Sequence, residues 1–266
     1  MKYFLKILVA LLVLAALLLP TGCGTEPTEP PITNKAVIID QLSIRNPNPE
    51  FITKATNILE AYGFEVDVWS GTDITVDFYY KLPSMGYRLV VLRSHSGLLV
   101  SLENGQPVYL DTTYLFTTEN YSTGKYVGDQ LADRVSNAEM DADSPLVFAV
   151  NSEFIKRADG NFNKSIILAM GCESFKYDDM AAAFLEKGAS AYIGWSDTVT
   201  LQHVDDVTLD LLNNLCTKNM TFTQGITSTM NKLGNDPYYN SHLKCAPSAS
   251  SNTTVAELLG KPFNEK

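Results

Sequence analysis

The chain reads as an α/β protein built on a mostly parallel sheet, and three observations predict it. Short apolar runs without polar alternation stand at 36–40 (AVIID), 88–93 (RLVVLR) and 165–171 (SIILAMG), the pattern of strands buried on both faces. Segments of helical spacing separate the first runs, giving the order β-α-β-α-β and hence right-handed crossovers. A hydrophobic content of 45% over 266 residues supplies a substantial core.

The elements follow in order. Residues 36–40 form the first strand. Asn48-Pro49 is a helix start, with a side-chain cap and a proline at the first helical position. Phe51, Ile52, Ala55, Ile58, Leu59 and Tyr62 keep helical spacing, and Gly63 suits the left-handed C-cap. The alternating stretch 64–69 (FEVDVW) is the second strand, 75–82 a short helix, and 88–93 the third strand. The middle, 97–160, is less regular. Apolar runs at 98–100 and 106–110 flank Glu103-Asn104-Gly105, a good hairpin signal. The Thr- and Tyr-rich stretch 109–119 is expected as an edge ribbon, and 146–150 as a strand. The fourth main strand ends at Cys172. Asp178 and Asp179 open a helix that Lys187-Gly188 closes, with charge signs that suit the helix dipole. Residues 190–195 (SAYIGW) form the fifth strand, and 204–216 and 223–233 two helices. The polar stretch 248–254 is a loop before a short tail helix.

Outside this domain the chain carries an address. Lys2 and Lys6 precede the apolar stretch 7–19, which is short for a membrane span. Leu19-Pro20-Thr21-Gly22-Cys23 is similar to a lipobox, although Pro20 departs from its usual aliphatic residue. The readings are a lipoprotein anchored through Cys23, an ordinary secretory signal, or an uncleaved anchor. Each places the rest outside the cytoplasm, and a lipidated Cys23 makes the membrane a partner. The expected organisation is therefore a signal peptide at 1–22, a tether at 23–34, a folded domain at 35–247, and a polar loop and tail at 248–266. The tether, with Pro27, Pro30 and Pro31 beside Glu26 and Glu29, cannot build a core.

A net charge of −10 argues against nucleic acid as a partner, because phosphate binding needs a basic surface. No phosphate loop follows the first strand, and no organic cofactor is implied. Glu139, Asp141 and Asp143 alternate like calcium ligands, but Pro145 takes a ligand position, so the segment reads as a solvated acidic loop. His203 and His242 lack partners at zinc spacing and read as surface residues; no metal is expected. Asn120, Asn163, Asn219 and Asn252 head glycosylation sequons, which matter only in a host that glycosylates exported proteins. Oligomeric state is not legible. With Cys23 assigned to lipid, Cys216 in a helix and Cys245 in a loop either pair or remain a buried and a free thiol.

The informative residues are His95 and Cys172. Each follows an apolar strand, and in an open α/β sheet chemistry gathers at the carboxyl ends of strands. A thiol and an imidazole brought to one edge make a cysteine nucleophile with its acid and base. Taken singly, Cys172 also reads as a buried strand-end thiol, and His95 as a satisfied polar residue.

Read together, VVLRSHSG, IILAMGCES and FLEKGASAYIGW resemble the caspase-like cysteine peptidases, most of all the gingipain and CHAT branches. The resemblance spans most of the folded region. It implies a three-layer αβα sandwich with a mostly parallel sheet and a β-hairpin insertion. It also implies a cysteine endopeptidase acting on a peptide or protein substrate. Cys172 would be the nucleophile, His95 the acid and base, and backbone N–H groups of Cys172 and Gly97 the oxyanion donors. The caspase signature around the nucleophile is absent, and Ser96 stands where the family has a glycine. Asp197 falls where the family lines its first specificity pocket, with Trp195 as an apolar wall, which implies cleavage after Arg or Lys. Asp197 also reads as a cap of the next helix or turn. The alternative function is a non-catalytic binding or scaffold lipoprotein of the same fold.

Overall fold

Strand β1 (Lys35–Asp40) is buried along nearly its whole length. Helix α1 (Pro49–Tyr62) starts where the Asn48 side chain accepts the Phe51 N–H, and it stops at Gly63, whose φ of 104° is costly for any residue with a Cβ. Strand β2 (Glu65–Ser70), helix α2 (Val76–Lys81, capped by Thr75) and strand β3 (Leu89–Arg93) complete the first parallel unit. The computed structural model describes residues 34–104, 106–140 and 143–260. The leader, Cys23, the tether through residue 33, Asp141 and the tail from 261 lie outside the described residues.

Next come β4 (Ser96–Glu103), β5 (Gln106–Asn120), α3 (Val127–Gln130), β6 (Val135–Ala138), β7 (Val147–Asn151) and α4 (Ser152–Arg157). The rest of the chain supplies β8 (Ile166–Ala169), α5 (Asp179–Glu186), β9 (Ala191–Trp195), α6 (Leu201–Leu212), α7 (Phe222–Leu233), β10 (Leu243–Ala246) and α8 (Val255–Leu259).

Two sheets result. Sheet A runs β2-β1-β3-β8-β9-β10. All its pairs are parallel except β9–β10, so the chain is an α/β protein with a mixed, mostly parallel sheet. Side chains alternate across it. Val37, Ile39, Val90, Leu92 and Ile167 pack beneath α2, α4 and α5. Ile38, Val91, Leu168, Ile193 and Trp195 pack beneath α1, α6, α7 and α8. Both faces of the inner strands β1, β3, β8 and β9 are dry, which is why these strands read as unbroken apolar runs. Each buried Ile, Val or Leu contributes about 1.5–3 kcal/mol.

Sheet B, β4-β5-β7-β6, is antiparallel throughout. One face, with Leu115, Val135, Phe148 and Val150, joins the core beneath α2 and α4.

Several expectations change. The stretch 109–119 is no edge ribbon: it continues the same strand as 106–110, and β5 lies between β4 and β7. Cys245 sits in β10, not in a loop, because its backbone pairs with Ile193 of β9. The helix expected at 204–216 starts at Leu201 and ends in a π turn (Asn213–Thr217). Among the described residues no helix is long and apolar enough to cross a membrane.

Candidate active site

Strands β3 and β8 are hydrogen-bonded neighbours whose last register pair is Leu92 with Ala169, and the Met170 N–H still donates to the Leu92 carbonyl at 2.9 Å. His95 and Cys172 each lie three residues beyond that pair. They therefore leave the sheet at one carboxyl edge. Gly171 lets the two ends close together: a Cβ there would stand 2.1 Å from Ser96 Oγ and 2.6 Å from the Ser94 carbonyl oxygen. The Ser96 hydroxyl in turn donates to the Cys172 carbonyl at 2.5 Å.

Cys172 is half-buried. Its Sγ donates to the Val199 carbonyl at 3.4 Å and accepts the Val199 N–H at 3.5 Å, and its side chain packs on the core beneath α1 and α6. Burial pushes the thiol pKa up. The Val199 hydrogen bond opposes this, while the negative charges of Glu173 and Asp236 add to it. The thiol is therefore protonated at neutral pH.

His95 departs in another direction. Its N–H donates to Gln41 Oε1 at 2.9 Å, and its carbonyl accepts the Phe116 N–H at 3.1 Å. Its ring lies 6.1 Å from that of Phe116. It lines a cavity of about 150 Å³ with Gln41, Leu42, Thr118, Met140 and Val147. That cavity sits between the ends of β1 and β3, where the strand order reverses. Cys172 is not among its lining residues. Extended backbone sends successive side chains to opposite sides, so with Ser96 aimed at Cys172, His95 is aimed at the cavity. The two residues share an edge but stand in different surroundings.

Gly97 pairs with Tyr114 in the β4–β5 ladder. Because Phe116 N–H bonds the His95 carbonyl, antiparallel alternation sets the Gly97 N–H against the Tyr114 carbonyl, so this donor is engaged by β5. Trp195 is only 1% exposed and lies inside the core, its ring 5.7 Å from that of His203. Asp197 is held by Lys176, whose Nζ lies 3.0 and 3.1 Å from its two carboxylate oxygens. It also accepts the Thr198 N–H at 2.8 Å. Helix α6 is not started by Asp197: Thr200 is its N-cap, and Thr200 is held through its N–H and hydroxyl by buried Asp236 at 2.8 Å. Cys172, Cys216 and Cys245 are all free thiols, so the optional Cys216–Cys245 disulfide is not formed. Burial pushes Cys216 up to about 12 and Cys245 up to about 11. His242 is exposed and meets Ser196 Oγ at 3.1 Å. His203, expected at the surface, is half-buried with its Nε2 enclosed and without a hydrogen-bond partner.

Sequence reasoning missed the residues that hold this edge. Arg93, the last residue of β3, is 1% exposed. Its guanidinium bonds Asp40 Oδ1 at 2.7 Å and both oxygens of Asp205 at 2.9 Å. It also donates to the Asn46 carbonyl, and Asn48 Nδ2 adds a bond to Asp205 at 2.8 Å. Gln41 bridges the sheets: its amide nitrogen donates to the Thr117 carbonyl of β5 while its oxygen holds His95. A cation closing an apolar strand was the one available signal for Arg93; nothing local marked Gln41.

Among the described residues no group of three or more His, Cys, Asp or Glu side chains is arranged to hold a metal ion. No protein-family model matches the chain, and no curated protein matches it. Fold and site define an α/β protein with a thiol and an imidazole at one strand edge.

Proposed function

We propose that this chain is a cysteine endopeptidase of the caspase-like class, tethered outside the cytoplasm through a lipidated Cys23 and held in a resting arrangement. One observation carries the reading: His95 and Cys172 follow neighbouring parallel strands and leave the sheet at equal distance from the last register pair. The hairpin β4–β5, inserted directly after His95, fits the same class.

In the reaction, Sγ of Cys172 leaves Val199 and passes its proton to His95. The sulfur adds to the scissile carbonyl carbon, the C–N bond breaks, and His95 returns the proton to the leaving amine. Water then cleaves the thioester and restores the thiol. A basic substrate side chain replaces Lys176 on Asp197. Activation therefore requires the segment 94–97 to re-aim His95 and free a backbone N–H for the oxyanion.

A second reading, a binding protein of the same fold, is favoured by the protonated thiol and by Ser96 closing on Cys172. The full chain in detergent micelles, reduced and mixed with a peptide library, separates the two. Cleavage that disappears in both Cys172→Ala and His95→Ala supports the peptidase. Cleavage that survives Cys172→Ala takes the thiol out of the chemistry and overturns the cysteine peptidase; no cleavage by a folded, reduced chain gives way to the binding protein.

A further inference from the structure

Sheet B has a second face that the core does not use. On it a trough of about 420 Å³ crosses all four strands. Leu98 and Leu99 of β4 form one wall. Tyr114 and Phe116 of β5 form the floor, and Ala149 and Ala138 leave the space open because they are small. Tyr114 donates its hydroxyl to the Asp133 carbonyl at 3.0 Å, so its ring is 5% exposed and fixed. The apolar surface continues onto the hairpin, where Val100 is 47% and Tyr109 60% exposed. Contiguous apolar surface of this kind marks an interaction site, and the volume is that of a ligand pocket.

Two features select the occupant. Phe116 lines the trough and also faces the His95 ring at 6.1 Å, so whatever lies in the trough leads to the candidate reacting edge. The charged side chain on its lining is acidic, Glu139. That charge is unsuited to the chain's own tether, which carries Glu26 and Glu29, and to a second copy, which brings the same carboxylate and a net charge of −10.

We infer that the trough takes an extended, apolar stretch of the polypeptide substrate flanked by Lys or Arg, at a distance from the bond that is cut. The inference rests on the peptidase reading for the word substrate, but not for the binding itself. The test uses the full chain with Cys172→Ala in maltoside micelles. The probe is a fluorescein-labelled ten-residue peptide of alternating valine and threonine with lysine at both ends, read by anisotropy against empty micelles. Saturable binding is expected. Leu99→Asp weakens it about tenfold. Glu139→Lys weakens it about threefold and reverses the preference toward the same peptide ended by glutamate. If Leu99→Asp does not fold, Val100→Asp, at an exposed position, makes the same test. Absence of binding, affinity unchanged in the leucine and valine variants, or no charge preference altered by Glu139→Lys overturns the inference. Binding without turnover by the unsubstituted chain sinks the peptidase reading and leaves the trough standing; turnover with no effect of the trough variants on binding does the reverse.

Discussion

Sheets A and B answer to different demands. Every residue of β3, β8 and β9 is buried, while β5, in the middle of sheet B, is mostly exposed over its first half. A parallel sheet must be covered on both faces, whereas an antiparallel one tolerates an open face. Stability is therefore concentrated in sheet A and its closing ion cluster, and sheet B is left free to change its outer face. The difference between them is measurable.

The largest effect is expected at the edge of sheet A. Arg93→Ala leaves Asp40 and Asp205 buried without their cation, and chemical denaturation should register a loss of about 3–5 kcal/mol. A loss under about 1 kcal/mol would mean that water enters the cluster and that the edge is not dry. Ile38→Ala, which empties a fully buried site between α1 and β3, should cost about 3 kcal/mol in the same assay. The dryness of sheet A also reaches Cys172. A thiol raised above its ordinary value of 9.0 stays protonated until the pH passes that value. Its alkylation by iodoacetamide should therefore still be climbing at pH 9, by close to tenfold (about 1.4 kcal/mol) per unit below the pKa. A plateau near neutral pH would reveal a thiolate and break the resting arrangement. The smallest effect belongs to sheet B: Leu110→Ser, on a side chain 39% exposed, should change stability by no more than about 0.5 kcal/mol. A cost as large as that of Ile38→Ala would erase the distinction between the sheets.

The same contrast governs what could be read from the residues alone. Strands β1, β3, β8 and β9 announced themselves because two-sided burial leaves their interiors without a polar position, charge appearing only at the ends of β1 and β3. Helix α1 was legible at both ends because Asn48 and Gly63 do local work. Sheet B was harder. The Asp111-Thr112-Thr113 stretch interrupts the apolar pattern of β5, and register shifts between Leu98 and Val100 and between Phe116 and Asn120 disturb its alternation. Helix α4 has only six residues, and β10 has four that become a strand only by pairing with β9. At the candidate site, the arrival of His95 and Cys172 at one edge followed from the strand runs. Their directions did not, because aim is set beyond the strand ends by distant partners: Val199 for the thiol, Gln41 for the backbone of His95. The carboxylate of Asp197 was placed near the edge, but its companion Lys176 gave no signal in the spacing.

The Arg93 cluster carries a consequence for the order in which the molecule comes together. Its bonds to Asp40 and Asp205 span 53 and 112 residues of chain. Contacts so far apart close large loops before any reward is gained. The knot of charge at the head of β3 can therefore be tied only after β1 and α6 have both docked. Arg93→Lys should accelerate unfolding while leaving the refolding rate nearly untouched, a φ-value near zero. The edge that carries the candidate chemistry is then the last part of the protein to be finished, a keystone set after the arch is standing.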